Sequence, residues 1–188
     1  MERDFIQDRA MIRKKFITPS SLLLDSFRLA SKIFLSGFIP DVILVMWRGG
    51  TPVGIVVHEF FLYKGIRAYH TVVKAESYTG IEKRIKPVIE NLPAVLENIP
   101  RNSRVLIVDD IFDTGQTLNA VCRTLLRKTR LIKTAALYYR KRKDCRTTPD
   151  FFIRKADRWI VFPHELEGLD RRELLKKNRT IFRLIQRR

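Results

Sequence analysis

The sequence predicts an α/β fold: an open, mostly parallel twisted sheet flanked by helices, with a small extra element from the C-terminal strands. Three observations carry this. Asp41 to Trp47 and Val105 to Val108 are short apolar runs rich in β-branched residues, the pattern of strands buried on both faces. Each run ends in a glycine turn, Arg48-Gly49-Gly50-Thr51-Pro52 and Asp113-Thr114-Gly115-Gln116-Thr117. Each turn opens into a helical pattern, so the chain repeats a strand–turn–helix crossover.

Length and composition bound the rest. A chain of 188 residues suffices for one good core, and 45% hydrophobic residues argue against disorder. A single domain over 1–188 is expected, with its core at about 20–140. No apolar run reaches the ~18 residues that span a bilayer. Met1-Glu2-Arg3-Asp4 has mixed charge and no apolar stretch behind it, so no secretion leader is expected. Cys122 and Cys145 are the only cysteines and lack metal-ligand spacing, which suits a reduced, cytoplasmic setting. The net charge of +17 raises nucleic-acid binding, but the cations are scattered rather than striped, so it is not favoured. Their densest clusters are Arg140 to Lys143 and the segment from Arg171 to Arg188.

In chain order, Phe16-Ile17 reads as an edge strand or an arm. Thr18-Pro19-Ser20-Ser21 signals a helix start, with Ser20 or Ser21 as N-cap before Leu22, Leu23, Phe27, Leu29, Ile33 and Phe34. Gly37 ends that helix. After the Arg48 turn a helix runs through Val53, Val56, Val57 and Phe60, with Pro52 in its first turn. Ile66 to Val73 is a third strand, and Lys74 to Gly80 a loop. Residues 81–100 carry Pro87, Pro93 and Pro100, which suits a lid or a surface excursion with a short helix near 88–98. A helix follows at 117–128, then a fourth strand from Lys133 to Tyr139. Asp150 to Ile153 and Arg158 to Pro163 are short strands flanking a turn. Leu174, Leu175, Ile181, Phe182, Leu184 and Ile185 predict a basic amphipathic helix at about 170–186. Its apolar side is expected to pack on the domain rather than dock on a membrane, and no membrane partner is expected.

Both glycine turns lie at the carboxyl ends of predicted parallel strands, where open α/β sheets bind ligands. The turn at 113–117 offers backbone N–H groups and hydroxyls to a phosphate at a helix N-terminus. Asp109 and Asp110 beside it suit sugar hydroxyls or a hard cation. In an extended strand they are expected to point to opposite sides rather than form a side-by-side pair. His58 and His70 lack ligand partners at useful spacing and read as structural.

The run Val105-Leu106-Ile107-Val108-Asp109-Asp110-Ile111-Phe112-Asp113-Thr114-Gly115-Gln116-Thr117 resembles the phosphoribosyl-pyrophosphate (PRPP) signature of the type I phosphoribosyltransferases. Arg48-Gly49-Gly50 resembles their pyrophosphate loop, where the entering peptide, here Trp47–Arg48, is often cis. Ser77-Tyr78 resembles the lid of the 6-oxopurine branch. Trp159 to Glu165 resembles the base-binding hood of the bacterial hypoxanthine and xanthine-guanine enzymes, giving a hood from about 150–167. The resemblance implies transfer of 5-phosphoribose from PRPP to a 6-oxopurine, with Mg²⁺ and release of pyrophosphate, in purine salvage. It implies that Arg48 and Gly49 hold pyrophosphate and that Asp109 and Asp110 face ribose and metal. Asp113 would accept the N7 proton, and Thr114, Gly115, Gln116 and Thr117 would cradle the 5′-phosphate. Ser77 and Tyr78 would close the site. Trp159 would stack on the base, Ile160 would read its edge through the backbone, and either Arg140 or Lys141 would donate to O6. Glu165 would be a second-metal ligand. His164 departs from the family's tryptophan and leaves the purine open. A homo-oligomer, dimer or tetramer, is expected. The competing readings are a transferase for another base and a non-catalytic, nucleotide-sensing regulator that binds nucleic acid.

Overall fold

The computed structural model describes residues 13–76, 79–80, 83–84, 88–141 and 147–186. Contacts gather into two compact units. The larger is Ser20–Asp157, and the smaller combines the chain up to Pro19 with Arg158 onward.

The larger unit is a six-stranded sheet in the order β6-β3-β2-β7-β8-β9. Its strands are β2 (Val42–Trp47), β3 (Tyr69–Glu76), β6 (Val88–Ile89), β7 (Val105–Phe112), β8 (Ile132–Tyr139) and β9 (Phe151–Lys155). All pairings are parallel except β3 with β6. A separate two-stranded ladder joins β4 (Thr79–Gly80) to β5 (Lys83–Arg84). The helices are α1 (Pro19–Leu35), α2 (Gly50–Tyr63), α3 (Leu92–Glu97) and α4 (Gln116–Leu125). Val42 to Met46 and Val105 to Val108 are all buried, as runs covered on both faces require. One face of the core joins Leu44, Val73, Ile107, Leu118, Val121 and Leu125.

Several boundaries move for physical reasons. α1 begins at Pro19, so Ser20 and Ser21 lie inside its first turn, where proline itself suits N1. Gly37 takes the expected left-handed conformation, φ +80°, after the helix. The third strand starts at Tyr69 rather than Ile66, because its pairing begins where Tyr69 N–H meets the Asp41 carbonyl. Phe151–Lys155 does not belong to a separate hood. It pairs in parallel with β8 as the outermost strand of the main sheet, fastened by Asp150, whose carboxylate accepts from Thr134 N and Oγ1.

In the smaller unit, β1 (Lys14–Phe16) pairs in parallel with β10 (Trp159–Val161), so the Phe16 segment is a strand. Two short helices follow, α5 (Arg171–Lys177) and α6 (Arg179–Gln186). Neither contains a fully buried residue: Leu174, Ile181 and Phe182 are half-buried, while Leu175, Leu184 and Ile185 are exposed.

Candidate active site

Strand order explains where a ligand belongs. From β2 the chain moves outward to β3, whereas β7 leads the other way to β8 and β9. The direction of winding therefore switches between β2 and β7. The crevice at the carboxyl ends of such neighbouring strands is the ligand site of open α/β sheets. The loops that leave β2 and β7 are Arg48-Gly49-Gly50 and Asp113 to Gly115.

The β2 loop enters through a cis peptide at Trp47–Arg48. Arg48 is exposed beside it. Gly49 is required by close approach: a Cβ there would lie 2.1 Å from Asp110 Oδ2. A Cβ on Gly50 would meet the Val108 carbonyl at 2.7 Å and Asp109 Oδ1 at 3.2 Å. Both carboxyls thus reach the same glycine turn. The expectation that strand alternation keeps them apart fails here. Asp110 N–H donates to Asp109 Oδ1 at 2.9 Å, and each carboxyl lies within reach of the other's charge. Side chains lean along a strand as well as away from it, and at its end both can turn to one loop. Burial, and then the Asp110 charge, push the Asp109 carboxyl well above the usual range.

The β7 loop carries the phosphate-type cradle. Gly115 caps α4 in the left-handed conformation at φ +69°, and a Cβ there would strike the Phe112 ring at 2.5 Å. Its geometry exposes the first N–H groups of α4, the arrangement that suits an anion. Thr114 Oγ1 accepts from Gln116 N–H at 3.4 Å. Thr117 lies half-buried in the first turn. Thr147 closes the far side through Asn119 Nδ2, 3.0 Å from its Oγ1.

Asp113 and Arg140 meet in a bidentate ion pair. Arg140 Nε donates to Asp113 Oδ1 at 2.9 Å, and its terminal nitrogen donates to Oδ2. Arg140 N–H is also bonded to the Phe112 carbonyl at 2.9 Å, which holds the start of the β8 loop against the end of β7. Lys141, the other expected donor, is exposed. Sequence reading missed this pairing because Asp113 and Arg140 are 27 residues apart. Only the parallel register Phe112↔Tyr139 brings them together.

The remaining expected residues divide. Ser77 and Tyr78 lie outside the described residues, as does Cys145. In the smaller unit Trp159 is half exposed and Ile160 is buried in β10. Glu165 is committed to its own loop, its Oε2 accepting from Phe162 N–H at 2.8 Å. His164 stacks on Phe162, with centroids 5.9 Å apart. His58 and His70 pack on each other at 3.9 Å, and no group of three or more metal-type residues occurs among the described residues. Burial pushes the Cys122 thiol up to about 11, which keeps it inert.

The donor set fits one hard cation. Mg²⁺ is typically held by one or two carboxylates plus substrate phosphate oxygens and water. Asp109 and Asp110 supply the carboxylates.

Comparison with known proteins agrees with this geometry. Residues 20–170 match the family model described as the phosphoribosyl transferase domain. No curated protein matches the chain significantly by sequence. Among solved structures, a purine phosphoribosyltransferase from Pyrococcus horikoshii is 28% identical, with TM-score 0.65, covering 84% of this chain and 97% of its own. A xanthine-guanine-hypoxanthine phosphoribosyltransferase from Helicobacter pylori is 23% identical, with TM-score 0.62, covering 82% and 96%. A Neisseria gonorrhoeae protein solved with bound ppGpp shares the fold at 19% identity and TM-score 0.69, covering 90% and 96%. With the switch-point loops, the paired acids and the left-handed glycine all on one sheet edge, the chain belongs to the phosphoribosyltransferase family.

Proposed function

We propose that this phosphoribosyltransferase transfers 5-phosphoribose from PRPP to a 6-oxopurine. The observation that carries the reading is the Asp113–Arg140 pair. It sets a hydrogen-bond acceptor beside a hydrogen-bond donor at the mouth of the phosphate loop. A 6-oxopurine protonated at N7 presents the complementary edge, a donor at N7 and an acceptor at O6. Adenine would turn an amino donor toward the Arg140 guanidinium, which has no acceptor. The Pyrococcus horikoshii structure, named a purine phosphoribosyltransferase, supports a purine as the acceptor.

In this reading the bond from the anomeric carbon to pyrophosphate breaks, and one to a purine ring nitrogen forms. The N7 proton passes to Asp113 as the ring becomes neutral nucleotide. Thr114 to Thr117 hold the 5′-phosphate through hydroxyls and the first amides of α4. Arg48 and the Gly49 amide hold the leaving pyrophosphate, whose growing charge is the main load on the site. Asp109 and Asp110 face the ribose hydroxyls and would hold Mg²⁺, which neutralises pyrophosphate charge when bound. Glu165 would have to release Phe162 N–H before it could serve as a second-metal ligand. Ser77 and Tyr78 form the lid. Trp159 keeps half its surface in solvent, as a stacking platform needs, and the Ile160 backbone reads the base. The assembly is a homo-oligomer.

The test is direct. The protein is incubated with Mg²⁺, PRPP and each of hypoxanthine, guanine, xanthine, adenine, uracil and orotate, and nucleotide is assayed. Product from the oxopurines alone is expected. Product only from adenine or a pyrimidine moves the protein to another branch, and no product from any base ends the reading.

A further inference from the structure

The last helix is where charge and exposed apolar surface coincide. Between Arg171 and Arg188 the sequence has eight lysines and arginines and one acid, Glu173. At 3.6 residues per turn, Ile181, Phe182, Leu184 and Ile185 share one arc of about 160°, while Arg179, Arg183 and Gln186 share the opposite side. Ile181 and Phe182 are half-buried, and the Arg171 guanidinium lies 5.5 Å from the Phe182 ring. Leu184 and Ile185 are 58% and 47% exposed, with Leu175 at 37% on the preceding helix.

This helix is formed and fastened in advance. Asn178 Oδ1 accepts from Ile181 N–H at 2.9 Å, an N-cap at the N3 position. Asp170 and Glu173 make a capping box for α5. Lys177 Nζ donates to the Phe162 carbonyl at 2.7 Å and also to that of Glu165, tying the end of α5 to the loop before it. Lys14 pairs with Glu173 at 2.7 Å, so the single acid is already neutralised.

We propose that α6 and its exposed leucine and isoleucine dock in the plane of an anionic lipid surface. Charge complementarity selects this occupant. A second copy meeting the same face would cover Leu184 and Ile185 but leave Arg179 and Arg183, on the far side of the helix, unanswered. Nucleic acid would meet the arginines but leave Leu184 and Ile185 in water. The headgroup boundary of an anionic bilayer meets both faces together: cations at the phosphates, apolar side chains among the acyl chains. Among the described residues no helix is long and apolar enough to cross a membrane, so the contact is peripheral and reversible.

The test uses the whole chain with sedimented vesicles of phosphatidylcholine, alone or with about 30 mol % phosphatidylglycerol. Binding at least about tenfold tighter to the anionic vesicles is expected, and its loss in about 0.5 M salt. Leu184→Ser with Ile185→Ser, and separately Arg179→Gln with Arg183→Gln, should each remove most of it while phosphoribosyl transfer and monodispersity stay as in the parent. Three results would overturn the proposal. One is no preference for anionic vesicles. Another is full binding by the serine pair, which would leave bulk charge as the cause. The third is self-association in free solution that only the serine pair abolishes, which would give the face to a second copy. None of these depends on which base the enzyme uses.

Discussion

Between α1 and β9, Asp25 has a side chain only 2% exposed, yet it is fully answered. Arg154 Nε and its terminal nitrogen donate to the two carboxylate oxygens at 2.7 and 3.0 Å, and Arg28 adds a third bond at 2.8 Å. Burial pushes this carboxyl up, but hydrogen bonds and charge from Arg154 and Arg28 outweigh it and hold it below the usual range. At the carboxyl end of β7, Asp109 and Asp110 share one small space, and burial and mutual charge drive Asp109 the opposite way. Both places hold aspartates from the same sheet unit. One has its charge cancelled within the fold and works as a clamp on the edge strand. The other sets two carboxyls side by side, and the charge of one raises the other. The Asp113–Arg140 pair stands between them: it is complete in the free protein, but less buried and at the carboxyl edge of the sheet, where the proposed base would exchange for it.

The contrast can be broken by substitution. The largest effect belongs to Asp113→Asn, which keeps shape and removes the proton acceptor. Turnover should fall by about 10²–10⁴ while PRPP affinity is largely retained, measured by initial rates and calorimetry. An unchanged rate would leave Asp113 only as the structural partner of Arg140. Next, Arg140→Gln should raise KM for oxopurines by about 10–100-fold and narrow the gap to adenine, because a charged hydrogen bond is lost. If Lys141→Gln did this instead, Lys141 would be the base reader.

Asp25→Ala should change no kinetic constant and cost about 2 kcal/mol in urea unfolding, reduced by the solvent around both arginines. Because the folded carboxyl sits below its unfolded value near ~3.9, the clamp is complete above that pH and fades as pH falls through the folded value. The gap between Asp25→Ala and the parent should therefore close under acid. The smallest effect is Asp109→Asn. It should stabilise the free protein by about 1 kcal/mol while weakening PRPP binding, since it removes the repulsion. Here the pH trend is reversed. The folded state keeps a proton that the unfolded chain releases, so parental stability falls as pH rises above about 4 toward the raised value of Asp109. The Asn variant should lack that fall. If it were destabilised instead, the acid pair would be part of the scaffold.

Local patterns made much of this molecule legible. The runs at 42–47 and 105–108, the two glycine turns and the following helices needed only hydrophobic pattern and turn chemistry. The motif from Val105 to Thr117 puts the residues proposed to hold phosphate and ribose into one stretch, so its geometry is nearly local. Phe151–Lys155 was misassigned to a hood because a five-residue strand pattern does not name its partner. β8 and the Asp25–Arg154 clamp, across 129 residues, do. Asp109 and Asp110 were expected to part because alternation describes a strand's middle, not its end beside two glycines.

The sequence by itself determined the strand–turn–helix units and the residue types of the phosphate cradle, because backbone conformation and near neighbours decide those. Tertiary structure alone decided which charges meet. Parallel register joined Asp113 to Arg140, and the β2–β7 adjacency pressed Gly49 against Asp110. Packing left α6 with no buried side chain. Each depends on contacts across tens of residues, where pairing and burial, rather than local propensity, set the energy.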